Sequence, residues 1–219
     1  MPARKVTAQG PRWRRRLFIM VKAPLSGRVK TRLGREIGVV AATAFYRRTS
    51  QQIIQRLARD PRWETTLAVS PDWARSAPFW PGCLRRVGQG GGNLGGRMQR
   101  LMDGAGPGPV IVVGTDIPEM SRWHIADAFR LLGDHQAVLG PAGDGGYWLV
   151  GLKRVPRVRR IFERVRWSSP HALADTMRNI DDVQVAETAT LRDVDTRDDH
   201  LQLNARAGRL ILPPRSSNA

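Results

Sequence analysis

Four short segments hold the residues best suited to chemistry, and each follows an apolar run. The first is Lys22-Ala23-Pro24-Leu25-Ser26-Gly27-Arg28-Val29-Lys30-Thr31-Arg32. A glycine-containing loop between strand and helix presents backbone N–H groups to a phosphate. Lys22, Arg28, Lys30 and Arg32 can neutralise a polyphosphate there. The Gly-Lys-Ser/Thr ending of a P-loop is missing, and a solvated basic turn accounts for the same residues equally well. The second segment is Gly114-Thr115-Asp116-Ile117-Pro118. A carboxylate in that position can hold a hard divalent cation that bridges phosphates, because Mg²⁺ often needs only one or two protein carboxylates. An isolated Asp also serves as an ordinary turn cap.

The third segment is Gly140-Pro141-Ala142-Gly143-Asp144-Gly145-Gly146-Tyr147-Trp148. Glycines on both sides of an acid imply close backbone approach to a ligand or to another stretch of chain, although Asp-Gly-Gly also makes a plain hairpin turn. The fourth is Asp193-Val194-Asp195-Thr196-Arg197-Asp198-Asp199. Alternation along a strand places Asp193 and Asp195 on one side. A negatively charged helix N-terminus explains Asp198 and Asp199 better than Asp195.

These segments need a frame that brings strand ends together. Leu17 to Val21, Thr65 to Val69, Leu84 to Val87, Val110 to Val113, Ala137 to Leu139, Tyr147 to Leu152 and Leu191 to Val194 read as strands. Between them lie helical stretches from about Gly38 to Arg59, Leu94 to Met102, and from an N-cap at Ser121 to Leu132. Ser168-Ser169-Pro170 predicts a helix with proline in its first position. Thr196 predicts the cap of a terminal helix to about Ala207. Strands alternating with helices predict an α/β, three-layer fold with a mixed, mostly parallel sheet. In such sheets ligands bind beyond the carboxyl ends of the strands, so the four segments predict one shared site. The organisation expected is a basic flexible arm over 1–15, one domain over 16–212 and a flexible tail over 213–219.

A chain of 219 residues fits one such domain. With 41% hydrophobic and 25% charged residues it is a globular composition, not a disordered one. The balance of 36 Lys+Arg against 19 Asp+Glu gives +17. Nearly all of that charge is arginine spread along the chain, since the lysines are only Lys5, Lys22, Lys30 and Lys153. A nucleic-acid-binding module rests on that charge alone and leaves the glycine–acid loops without a role. Single Cys83 rules out a disulfide framework and reads as an inert buried thiol. The scattered His124, His135, His171 and His200 lack metal-ligand spacing, and no Gly-x-Ser-x-Gly elbow is present. No run approaches the roughly 20 apolar residues of a membrane span, and no secretory signal is recognisable, so a cytoplasmic protein is expected.

Taken in order, the motifs are Val29-Lys30-Thr31-Arg32-Leu33, Asn93-Leu94-Gly95-Gly96-Arg97-Met98, Gly114-Thr115-Asp116-Ile117-Pro118, Gly140 to Tyr147, and Asp193-Val194-Asp195-Thr196. Together they resemble a bacterial glycosyltransferase-like family of unknown function, whose members carry the name arsenosugar biosynthesis glycosyltransferase. That family is similar to phospholactate and molybdenum-cofactor guanylyltransferases. The resemblance spans about residues 17–205. It implies a nucleotide-diphospho-sugar transferase fold of the GT-A type. It implies that Ala23 to Lys30, with Pro24 and Gly27, wrap the nucleotide, and that Gln89, Asn93, Leu94 and Gly95 also contact it. It further implies that Asp116 and Asp195 hold Mg²⁺ or Mn²⁺, and that Asp144 faces the acceptor. Asn93 and Gly96 stand where the family usually has acids. The activity implied is a metal-dependent transfer from a nucleotide sugar or nucleoside triphosphate to a small acceptor, with Asp116, Asp144 and Lys30 in catalytic roles. Nucleotidyl transfer with release of pyrophosphate is the alternative, and nucleotide binding without turnover is a second one.

Overall fold

The computed structural model describes residues 13–154 and 159–203. The expected arm, except for Trp13, Arg14 and Arg15, the expected tail and the end of the terminal helix lie outside the described residues.

The run Leu17 to Val21 becomes β1 (Arg16–Lys22) and shows how the layers arise. Successive side chains on a strand point to opposite faces. Leu17, Ile19 and Val21 pack with Ile53, Ile54 and Leu57 of α2 (Val39–Ala58) and with Phe129 of α4 (Arg122–Asp134). Phe18 packs on the opposite face with Met98 and Met102 of α3 (Leu94–Gly104). The remaining strands are β2 (Glu64–Ser70), β3 (Arg85–Gly88), β4 (Val110–Val113), β5 (Ala137–Pro141), β6 (Tyr147–Leu152) and β7 (Val185–Glu187). They form one seven-stranded sheet in the order β3-β2-β1-β4-β6-β5-β7. β6 runs antiparallel to β4 and β5, and the other pairings are parallel. The α/β, three-layer, mostly parallel expectation holds. All four residues of β4 are buried, as a strand covered on both faces requires.

The path of the chain decides where a site can form. From β1 it runs outward through β2 to β3, then returns to place β4 on the other side of β1. The loops leaving β1 and β4 therefore diverge and open a crevice at their carboxyl ends. The start of antiparallel β6 and the end of β5 meet that same edge.

Some elements differ from the sequence expectation. The loop after β1 ends in a separate helix, α1 (Thr31–Ile37), divided from α2 by Gly38 at φ 89°, which suits glycine. Leu191 to Val194 is not a strand; Leu191 alone makes an isolated bridge to Ala142. The last strand is instead β7, three residues whose pattern is too short to show a period. The helix after Pro170 is α5 (Ala172–Arg178), so proline precedes it by two residues and is not its first. Cys83 is exposed, not buried. Thr196 does cap the helix over residues 197–203: its Oγ1 accepts from Asp199 N (3.2 Å), and Asp199 Oδ2 accepts from Thr196 N (2.8 Å). Among the described residues no helix is long and apolar enough to cross a membrane.

Gly151 of β6 sits at a close contact inside the sheet. A Cβ there would lie 2.7 Å from Val138 Cγ1 and 3.0 Å from Ile111 Cγ1. Gly151→Ala is expected to destabilise the fold by about 1–3 kcal/mol through overpacking, measured as a lower urea midpoint at unchanged m-value.

Candidate active site

The crevice between the β1 and β4 loops is a cleft of about 780 Å³. Its floor is built around one cation. Lys30 takes a left-handed backbone conformation (φ 44°, ψ 48°) where α1 begins. For a residue other than glycine this costs about 1–3 kcal/mol and persists only where surroundings enforce it. The enforcing contacts are visible: Lys30 Nζ lies 2.9 Å from Asp116 Oδ1 and 2.8 Å from Asp195 Oδ1, with the lysine side chain only 4% exposed. Burial alone would lower the Lys30 pKa; the two carboxylates outweigh it and raise the value.

Each carboxylate is placed by its own set of contacts. Asp116 follows β4 and Gly114, and its loop is braced from α2 by Arg56, which donates to Pro118 O at 2.8 Å. Asp195 reaches the cleft because Val194 N donates to Asp116 O (3.3 Å) and Leu191 N to Pro141 O (3.2 Å). The segment is therefore pinned to the loops after β4 and β5 without being a strand. Asp193 also lines the cleft. Burial, then the charges of Asp195 and Asp144, raise its pKa. Asp144 lines the cleft from the β5–β6 turn, with Oδ1 accepting Gly146 N at 2.9 Å.

Of the expected phosphate-side residues, Lys22, Lys30, Arg32, Gln89, Asn93 and Leu94 line the cleft. Ala23, Pro24, Gly27, Arg28 and Gly95 do not. Ala23 is buried and its N–H donates to Ser70 O (2.7 Å), while Arg28 N closes a turn onto Leu25 O (3.0 Å). Gly95 serves packing: a Cβ there would lie 2.5 Å from Trp167 Cζ2 and 2.8 Å from Phe162 Cβ. Asn93 is the N-cap of α3, its Oδ1 accepting Gly96 N at 2.9 Å, a role that an amide or an acid can fill. Gln89 is buried, and its Nε2 donates to Val21 O (3.1 Å) and Ala68 O (2.8 Å), so its amide tethers β1 to β2.

The structure adds residues that the sequence did not single out. Tyr46, on the apolar stripe of α2, places its hydroxyl across the crevice. It accepts Lys22 N at 2.8 Å and lies 3.4 Å from Thr115 Oγ1. Burial and then the charge of Asp116 push its pKa up to about 12. Seven residues before Ile53, it reads from sequence as core, and nothing there reveals the hydroxyl. Arg97 lines the cleft from α3 and holds the glycine loop, its Nε donating to Gly92 O (3.0 Å). Trp148 and Trp167 complete the wall.

A family model described as "Uncharacterized protein conserved in bacteria" (DUF2064) matches residues 53–169. The chain belongs to this family. The matched stretch contains Asp116 and Asp144, while Lys30 and Asp195 lie outside it. No curated protein matches significantly. Among solved structures, a proposed nucleotide-diphospho-sugar transferase from Desulfovibrio desulfuricans G20 is similar at 29% identity, covering 93% of this chain and 91% of that one with a TM-score of 0.80. A CMP:2-keto-3-deoxy-manno-octonic acid synthetase complexed with CTP is 10% identical, covering 90% and 100%, with a TM-score of 0.56. Glucosyl-3-phosphoglycerate synthase from Mycobacterium tuberculosis, in complex with Mn²⁺, UDP and glucosyl-3-phosphoglycerate, is 10% identical, covering 93% and 82%, with a TM-score of 0.51. The fold is of the nucleotide-diphospho-sugar transferase, GT-A type.

Tyr46→Phe removes the acceptor of the Lys22 N–H at the crevice. A loss of about 1–3 kcal/mol in folding stability is expected from leaving that donor unpaired, measured by chemical denaturation.

Proposed function

We propose that the chain is a metal-dependent transferase whose donor is a nucleotide sugar or a nucleoside triphosphate. The observation that carries this reading is the convergence of Asp116 and Asp195 on a single cationic point, inside a cleft whose rim holds Lys22, Arg32 and Arg97. The similar structures bound to CTP, or to UDP and Mn²⁺, support it through their shared fold.

The donor set fits a hard divalent cation. Two carboxylate oxygens already meet one positive charge at 2.8 and 2.9 Å. Mg²⁺ or Mn²⁺ can be held by one or two carboxylates with phosphate and water supplying the rest. When bound, the ion would neutralise charge on the donor phosphates. Lys30, Lys22, Arg32 and Arg97 add fixed positive charge where the leaving group gains negative charge. The Gly114-Thr115 turn and Tyr46 hold the metal-side loop in register with the β1 loop. Asp144, on the β5–β6 turn, receives the acceptor hydroxyl.

Glycosyl transfer is the reading that the family resemblance favours. Nucleotidyl transfer is the second, favoured by Lys22, Arg32 and Arg97 at one rim, a cation count suited to a triphosphate.

Calorimetric titration of the intact chain with nucleoside triphosphates and nucleotide sugars, with Mn²⁺ and then with EDTA, tests the reading. One donor class is expected to bind only with metal. Asp116→Asn is expected to weaken that binding by roughly 10- to 100-fold, the loss that even an outer-sphere change produces at metal sites. Equal binding by parent and variant would refute it.

A further inference from the structure

We infer that Lys30 makes divalent-cation loading depend on nucleotide binding, because its ammonium holds the place between Asp116 and Asp195 until phosphates draw it away. The inference rests on the metal-dependent reading above. The ammonium is 2.9 Å from one carboxylate and 2.8 Å from the other, and the side chain is 4% exposed. A cation entering between the same oxygens must therefore displace a buried charge, and a displaced ammonium in that site has lost both counter-ions. Asp116 and Asp195 are 55% and 38% exposed, so the cost falls on the ammonium, the buried member, whose charge would stand uncompensated. Among the described residues the salt bridges of Lys30 go to Asp116 and Asp195 alone. Among those residues no other carboxylate lies at ion-pair distance, and Asp193 and Asp199 act on Lys30 only through their charge.

Donor phosphates remove that obstacle. They supply anionic oxygens beside the β1 loop, where Lys22 and Arg32 also line the cleft. Lys30 then exchanges both carboxylate partners for phosphate oxygens, as does Arg32, which lies 3.8 Å from Asp195 Oδ2, and the vacated carboxylates receive the metal. Nucleotide and metal enter as a coupled pair, and the free chain is protected from scavenging divalent ions. Coupling of this kind is reciprocal: metal must tighten nucleotide by the same factor as nucleotide tightens metal.

The test measures Mn²⁺ binding to the nucleotide-free chain from the free-ion electron paramagnetic resonance signal. Lys30→Met keeps the apolar stem and removes the charge. It is expected to bind Mn²⁺ alone at least roughly tenfold more tightly than the parent. Lys30→Arg retains a cation and is expected to stay weak. A second arm needs no variant: in the parent, a nucleoside triphosphate should tighten Mn²⁺ binding beyond the chelation measured for that nucleotide without protein. If parent and Lys30→Met bind Mn²⁺ alone equally well while Mn²⁺-nucleotide still binds, the coupling is wrong and the transferase reading survives. Absence of that extra tightening in the parent, with Mn²⁺-nucleotide still bound, also overturns the coupling. If Mn²⁺ binds neither protein, with nucleotide or without, the metal-dependent reading falls and takes the coupling with it.

Discussion

The ion pair that joins Lys30 to Asp116 and Asp195 is the contact on which the rest of the cleft depends. It ties together three stretches that are remote in sequence: the loop after β1, the loop after β4 and the segment near the end of the described chain. A parallel sheet makes this meeting possible, because strands that run the same way deliver their following loops to one edge. The return of β4 beside β1 then places Lys30 and Asp116 on either side of the crevice. The left-handed backbone of Lys30 is the local strain that this placement entails.

Electrostatics within the cleft run against the character of the whole chain. The sequence carries a net charge of +17, yet Asp116, Asp144, Asp193 and Asp195 all line one cavity. Asp193 registers that crowding, since burial and then its acidic neighbours lift its pKa. The positive side groups Lys22, Arg32 and Arg97 around the loops after β1 and β3. Cations and carboxylates meet inside the cleft, Lys30 with Asp116 and Asp195 and Arg32 with Asp195 at 3.8 Å, so opposite charges compensate one another there. The aromatic wall is shaped by what it lacks: Gly95 lets the Trp167 indole sit directly on α3.

Much of this was legible in the sequence, for reasons that can be named. Short apolar runs placed six of the seven strands, most of them strands whose apolar residues are buried; β3 is the exception, with no fully buried residue. Asp116 and Lys30 were legible as strand-end and loop residues. Asp195 was legible as a candidate from strand alternation and its metal role only from the resemblance; the predicted strand before it does not form, and backbone bonds from Val194 and Leu191 carry it to the cleft instead. Tyr46 was hidden inside a helical stripe, where an aromatic residue signals packing and not a hydroxyl. Arg97 was hidden among 36 basic residues, which drown any single cation. The packing role of Gly95 depends on Trp167, 72 residues later, and no local pattern encodes such a contact.

A crystal structure of the chain grown with Mn²⁺ and the nucleotide it binds, with anomalous scattering recorded at the manganese edge, tests the central claim most directly. The account predicts an anomalous peak shared by Asp116 and Asp195, with Lys30 Nζ turned onto a phosphate oxygen. A nucleotide bound away from these carboxylates, or Lys30 still bridging them with no peak between, would contradict it.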